Sequence, residues 1–502
     1  METPITPDER RLPIGTLSSS YAALPTRFHT HVKPTPVSDP RLIAVNTDLA
    51  RVLGLTLDQF DNSELAALFA GNLLPQGGTP LAMAYAGHQF GHWVPQLGDG
   101  RAILMGEVID TVGVRRDVQW KGSGRTPYSR GGDGRAALGP VMREYLVSEA
   151  MHALGVPATR ALAAVVTGER VRRESLMPGA ILTRVAASHV RVGTFQYISS
   201  LRDTDALRTL ADYVIERHYP RATEAANPYL RLLESVVARQ AFLVSRWMMV
   251  GFIHGVMNTD NMAISGETID FGPCAFMDEY DPGKVFSSID TMGRYAYSNQ
   301  PKAAQWNLAR FAETLLPLIH PDGATAVTLV TPIIEGFTTQ FEAHWLTGMR
   351  AKLGLVTERH DDQGLAQALL DILHGHNVDY TLAFRLLTEL LCDDRASAQL
   401  LTLFPHPAVM EAWLMQWRLR LDVEAMPPAD RRDCMRQTNP QVIPRNHQIA
   451  AAILAAEVAN DFGPFNALLS VLAKPFEERP EVYAYTVPPT DSERVRRTFC
   501  GT

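Results

Sequence analysis

At 502 residues and 55.4 kDa the chain exceeds a single compact domain, and its 46% apolar and 20% charged residues provide for sizeable cores and exclude global disorder. The net charge of −7 excludes a general nucleic-acid coat, so any polyanionic ligand needs a local basic site. Such a site is visible: Arg101 to Arg191 hold 14 Lys or Arg against 8 Asp or Glu, the reverse of the overall sign.

The chain opens on Met-Glu-Thr-Pro with acids and no apolar core, so a secretory signal is not expected. Residues 1–40 are rich in Pro, Thr and Ser and read as an extended arm over a folded body. A short helix is predicted over 63–69, capped by Asn62 or Ser63 and stopped by Gly71. Sheet character begins near residue 79. Strands are predicted over 102–109 and 116–121 around a turn at Gly113, then a loop dense in Gly, Ser and Arg over 122–134. An amphipathic helix follows over 140–154, with Pro140 in its first turn and Gly155 and Pro157 ending it. Further strands are expected over 160–166 and 180–185.

Beyond residue 200 helical periodicity dominates, most strongly over 229–250. Two short strands, 262–265 and 267–269, are expected around Gly266. Residues 302–472 read as mostly helix, and the tail from Lys474 is rich in Pro and charge. No internal repeat and no apolar run of membrane-spanning length is present. The predicted class is α+β, divided into an N-terminal arm with short helices (1–78), a nucleotide-binding lobe (79–200), a helical lobe (201–473) and a tail (474–502).

Three constellations carry chemistry. The first is His254-Gly-Val-Met-Asn-Thr-Asp260-Asn261, followed nine residues later by Asp270-Phe271-Gly272. A carboxamide and a carboxylate, with phosphates and waters, form the oxygen shell that Mg²⁺ prefers. An Asp before Phe-Gly is the arrangement by which kinases hold that metal against a triphosphate, although the tripeptide alone is equally a capped turn. The second is Lys121, ending a strand before the Gly-rich loop, with Glu144 on the next helix. A strand Lys paired with a helix Glu holds an ammonium against phosphates; taken singly, each is an ordinary surface residue. The third is Gly98-Asp99-Gly100-Arg101, where glycines permit an anion nest and Arg101 adds a fork of donors; a plain Asp-Gly turn is the alternative. Arg184 and Arg191 could clamp a further phosphate.

His88 and His92 have H-x-x-x-H spacing, but Gly91 argues against helix and no Glu lies between them, so a structural loop is expected rather than zinc. Asp278, Glu279 and Asp281 read as a solvated acidic loop. The cysteines Cys274, Cys392, Cys434 and Cys500 form no C-x-x-C pair, which suits a reducing, cytoplasmic location. If Cys274 and Cys500 meet, a disulfide would restrain the loop after Asp270; two unpaired thiols are the other reading.

The stretches Tyr85-Ala-Gly-His-Gln-Phe-Gly91, Pro95-Gln-Leu-Gly-Asp-Gly-Arg101, Lys121-Gly-Ser-Gly-Arg-Thr-Pro-Tyr-Ser-Arg130 and His254 to Met262 resemble the selenoprotein O family of protein adenylyltransferases. Some members carry selenocysteine near the C-terminus, and Cys500 resembles the cysteine form of that position. The resemblance implies a protein-kinase-like bilobal fold with extra N- and C-terminal extensions, counted among pseudokinases. Asp260 and Asn261 are adjacent here, whereas the kinase pattern separates them. It implies that ATP binds in a flipped orientation and that AMP passes to Ser, Thr or Tyr hydroxyls of proteins, self-modification included. By that resemblance Gly98, Gly100, Arg101, Lys121, Asp133, Gly134, Arg184, Arg191 and Asp270 bind the nucleotide. Asp260 is the proton acceptor, Asn261 and Asp270 hold Mg²⁺ or Mn²⁺, and Glu144 pairs with Lys121.

The residue types suit that chemistry, since attack on the α-phosphorus expels pyrophosphate and needs cations and a carboxylate base. Which phosphorus is attacked rests on the resemblance alone. A kinase delivering the γ-phosphate and a non-catalytic ATP-binding scaffold are the other readings, with UTP an alternative donor. No nucleic acid or membrane partner is expected.

Overall fold

The computed structural model describes residues 11–499. Its frame is an antiparallel sheet of β1 (His29–His31), β2 (Arg41–Val45), β3 (Leu81–Met83), β4 (Ala102–Ile109), β5 (Arg115–Lys121), β6 (Ala136–Ala137), β7 (Arg160–Arg172) and β8 (Leu176–Ala186). The order is β1-β3-β4-β5-β8-β7-β2, with β6 pairing on β8.

Strand alternation gives the sheet two dissimilar faces. Ile103, Met105, Val118, Trp120 and Ile181 point to one side, where helix α1 (Asn62–Ala70) supplies Leu65, Leu68 and Phe69 to a shared core. Leu104 and Leu182 point to the other, against Val141, Met142, Tyr145 and Leu146 of α2 (Leu138–Ala153). Gln119 and Lys121 lie on this second face, and Arg184 is the direct cross-strand partner of Gln119. The basic chemistry of the sheet is therefore aimed at α2 by register.

After the sheet come α3 (Val192–Ser200), α4 (Thr204–His218) and α5 (Pro228–Met249), then α6 (Gln300–Ile319) and α7 (Gly323–Lys352). Helix α5 starts on Pro228, with Asn227 capping the Leu230 N–H, and buries Leu233, Val236, Val237 and Val244 along one face. A second core of the later helices gathers Leu370, Phe384, Trp413 and Trp417. Helices Asn446–Ala459 and Gly463–Leu472 return to the sheet half, placing Ile449, Ala452 and Phe465 in the core with α2. No helix among the described residues is long and apolar enough to cross a membrane.

Several expectations change. The helix over 62–70 is capped by Asp61, whose side chain accepts the Ser63 and Glu64 N–H groups in a capping box, rather than by Asn62 or Ser63. The described part of the N-terminal arm is integral: it forms edge strand β1 and buries Leu12, Ile14, Leu17, Tyr21 and Phe28. The expected strands 262–265 and 267–269 do not form; the segments hold only isolated bridges, Met262 to Thr268 between them and Ala263 to Arg191 and Thr268 to Ala158 outward. Their backbone groups are taken elsewhere, because Ile264 and Met262 bond to Val190 and Val192 while Thr268 exchanges bonds with Pro157 and Thr159. The acidic group is not a solvated loop: Asp278 is buried 2.5 Å from Arg445, and Glu279 pairs with Arg494 of the tail.

Candidate functional site

The strand register sets the first half of the site. Lys121 Nζ lies 2.6 Å from Glu144 Oε2 of α2 and 2.6 Å from Asp270 Oδ1. Arg184 Nη1 donates to the other oxygen of Glu144 at 3.2 Å, and its Nη2 donates to Gln119 Oε1 at 2.5 Å. Gln119 passes the chain on, donating through Nε2 to Asp99 Oδ2 at 3.1 Å. Removing these charges from water is costly unless each is paired, and here each cation has a carboxylate or amide in place. Burial alone would raise the Asp270 carboxyl, but Lys121, Arg101 and Arg184 hold it well below the usual carboxylate range. Asp270 has φ +66, a left-handed conformation uncommon outside glycine that Asp adopts more readily than most residues.

The second half is the loop between the paired short strands Phe252–Ile253 and Ala275–Phe276. His254 pins it, with Nε2 3.0 Å from the Ile269 carbonyl oxygen. Thr259–Asn261 form a single 3-10 turn, so consecutive side chains diverge. Asn261 donates through Nδ2 to the Val256 carbonyl at 3.0 Å, leaving its Oδ1 as acceptor. Asp260 is buried, its Oδ1 has no hydrogen-bond partner among the described residues, and burial pushes its carboxyl up to about 6, with the Asp270 charge adding to the effect.

The two halves meet across one cavity of about 650 Å³ lined by Gly98, Gly100, Arg101, Lys121, Asp133, Gly134, Arg184, Arg191, Asp260, Asn261 and Asp270. Of the residues expected to bind nucleotide or metal, act as base or pair with Lys121, Glu144 alone lies behind the wall, bracing Lys121. Arg184 and Arg191 are buried rather than surface arginines. Arg191 stacks over the Tyr85 ring at 4.5 Å and donates to the Asp260 carbonyl at 3.1 Å. Asp133 sits at the outer edge, paired with Arg173 at 2.8 Å.

The anion nest expected at Gly98–Arg101 is corrected in part. The Asp99 N–H donates to the Met83 carbonyl, and its carboxylate turns inward to accept the Met83 N–H. The glycines serve another purpose: a Cβ at Gly98 would lie 2.3 Å from the Tyr128 ring, and one at Gly100 2.8 Å from the Tyr128 carbonyl oxygen. They let the Gly-rich loop close on the strand.

Gln119 is missed by sequence reasoning, as are the roles of Asp99, whose carboxylate takes the Gln119 amide, and of Gly87. Gln119 on a buried strand gives no signal until its register with Arg184 is known. Gly87 begins the hairpin Gly87–Gln89/His92–Val94, where a Cβ would lie 2.5 Å from Asp260 Oδ1. His88 and His92 belong to that hairpin, as the absence of helix anticipated. His88 Nδ1 lies 2.9 Å from Gln196 Nε2. Cys274 is buried and its thiol is pushed up to about 12, chiefly by burial; Cys500 lies outside the described residues.

Comparison with known proteins is consistent along the whole chain. The family model "Protein adenylyltransferase SelO" matches residues 15–473. A "Protein nucleotidyltransferase YdiU" of Agrobacterium fabrum is 58% identical over 484 residues, covering 96% of this chain and 99% of the relative. Proteins of the same description from Rhizobium meliloti and Rhodopseudomonas palustris are each 57% identical over 96% of this chain and 99% and 98% of their own lengths. The chain belongs to the SelO family of protein adenylyltransferases and is a nucleotidyltransferase.

Proposed function

We propose that this enzyme transfers AMP from ATP to Ser, Thr or Tyr hydroxyls of proteins, itself included, on a protein-kinase-like bilobal scaffold. The lobes are 79–200 and 201–473, flanked by 1–78 and 474–502. The observation that carries the reading is the Glu144–Lys121–Asp270 chain, whose Lys121 and Asp270 share one cavity with Asp260 and Asn261. That cavity is of the size small-molecule sites use.

Lys121, Arg101, Arg184 and Arg191 oppose the charge of the triphosphate, most of all the charge that grows on departing pyrophosphate. Gly98, Gly100, Asp133 and Gly134 shape the nucleotide's seat. The acceptor oxygen attacks the α-phosphorus, the bond to the bridging oxygen breaks, and pyrophosphate leaves with the electron pair. Asp260 takes the hydroxyl proton; a carboxyl near 6 is ionised at neutral pH and is a stronger base than an ordinary carboxylate.

Asn261 Oδ1 and Asp270 are hard oxygen donors, and no cluster of three His, Cys, Asp or Glu occurs among the described residues. That donor set fits Mg²⁺, or Mn²⁺, with phosphate oxygens and water completing the shell. When bound, the cation neutralises triphosphate charge. The reading places the reaction in the cytoplasm, in keeping with the scattered cysteines.

The test compares ATP labelled at the α-phosphorus with ATP labelled at the γ-phosphorus, with Asp270→Ala as control. Label reaching protein only from the α position supports AMP transfer. Label only from γ identifies a kinase and overturns the reading.

A further inference from the structure

Beside Asp260 the cavity has an outer lip built from two segments. One is the hairpin that begins at Gly87 and turns through Gln89, Phe90 and Gly91. The other is the loop from Ser287 to Tyr295. Gln89, Phe90, Asn258 and Ile289 all line the cavity, so the lip is continuous with the reacting end of the site.

The loop is held firmly. Asp290 accepts the Arg294 N–H at 2.9 Å and the Tyr295 N–H at 2.8 Å, and Asn299 Nδ2 donates to the Gly293 carbonyl at 2.8 Å. The tail braces its base, where Thr498 donates to Phe286 and accepts from Ser288. Tyr295 hydroxyl and Phe90 N–H both donate to Asn258 Oδ1 at 2.9 Å, joining loop, hairpin and catalytic turn at one atom. Phe90 also packs on the Tyr295 ring, with centroids 5.1 Å apart.

This ordered loop nevertheless holds apolar side chains in solvent: Met292 is 90% exposed and Ile289 55%. Between them and the hairpin lies Arg294. Its guanidinium stacks over Trp306 at 4.8 Å and abuts Gly91, yet it has no carboxylate ion-pair partner among the described residues. Its neighbour Arg310, over the same Trp306, is paired with Glu313 at 2.6 Å. An unpaired cation beside exposed apolar groups is complementary to a chain carrying an acid and an apolar side chain.

We propose that the acceptor protein docks on this lip through an extended acidic segment. One carboxylate of the segment pairs with Arg294, an apolar side chain covers Ile289 and Met292, and the hydroxyl between them reaches Asp260. The proposal rests on the AMP-transfer reading for the identity of the group transferred, but docking is independent of which phosphorus is attacked.

The test is a positional-scanning library of extended Ser, Thr and Tyr peptides, read with α-labelled and γ-labelled ATP separately. Wild-type enzyme is expected to favour Asp or Glu at one fixed position by about fivefold, the scale of one partly exposed charge pair. Arg294→Glu should abolish that preference and favour Lys or Arg at the same position. Met292→Ser, at a side chain too exposed to endanger folding, should weaken a preference for a large apolar residue. An acid preference unchanged in Arg294→Glu, or indifference to acids at every position in wild type, overturns the proposal. So does a library that takes label from neither nucleotide, since a segment would then not suffice. Transfer from the γ position alone, with the charge swap intact, overturns AMP transfer and leaves the docking surface standing.

Discussion

The sheet half and the helical half each bury a lysine, and they treat it in opposite ways. Lys121 is held between Glu144 and Asp270 at 2.6 Å from each. Lys352, 1% exposed at the end of α7, has Tyr380 and Phe384 rings at 5.1 and 4.2 Å instead, and burial, aided by Arg246, lowers it to about 7. A buried cation between two carboxylates has its charge offset and still faces the cavity. Lys352 has no carboxylate partner among the described residues, and desolvation eases it toward neutrality even though ring faces attract a cation. The site is built where the first solution is used, which is why its charges converge on a cavity instead of being silenced. Asp260 lies between the two treatments, a buried carboxylate with cationic help from Arg191 but an unpartnered oxygen.

The sharpest way to break the contrast is to remove each ammonium while keeping its stem. Lys121→Met should lower transfer by about 10²–10³-fold. It should also cost about 3 kcal/mol of stability, because Glu144 and Asp270 lose their shared partner. Label transfer and urea denaturation measure the two effects; wild-type activity in this variant would remove Lys121 from the site.

Asp260 provides the next largest effect. In the proposed reaction its ionised form is the base, and its carboxyl is raised to about 6, so transfer should level off above neutral pH and fall about tenfold per pH unit below 6. A profile of kcat/KM that stays flat down to pH 5 would exclude Asp260 as proton acceptor.

Lys352→Met gives the smallest effect and the opposite sign from Lys121→Met. It should leave transfer unchanged and raise stability by about 1–2 kcal/mol near or below pH 7. The folded form gives up its proton near 7, well below the ordinary lysine value of 10.5, so the unfolded chain binds more protons between those values. The cost of Lys352 is therefore greatest below pH 7 and fades as pH rises toward 10. Denaturation of both proteins across that range checks it; parallel curves would mean that Lys352 is charged and paired in the fold.

Much of this architecture was legible because its signals are local. The strand over 102–109 follows from its short apolar run, the helix before Gly155 from its stop signals, and the helix expected over 229–250 from its apolar stripe. The site candidates were legible for a different reason: Lys121, Asp260 and Asn261 sit in long runs that resemble one family, Asp270 follows nine residues after Asn261, and one cavity gathers all four. The short strands around Gly266 failed because their backbone groups had better partners in segments 70 to 110 residues away. Asp278 was misread because Arg445, which neutralises it, is 167 residues distant.

The amino-acid sequence by itself determined the order of elements, the position of the basic segment and the identity of the groups able to do the chemistry. Periodicity, capping and residue type act over a few bonds, so they are written in the chain. Only the tertiary structure decided which of those groups touch. Glu144 rather than another acid braces Lys121, Gln119 ties Arg184 to Asp99, and Gly87 admits the hairpin against Asp260. Those pairings depend on strand register and on the close approach of distant backbones, and both are set by packing the two faces of one sheet against different cores.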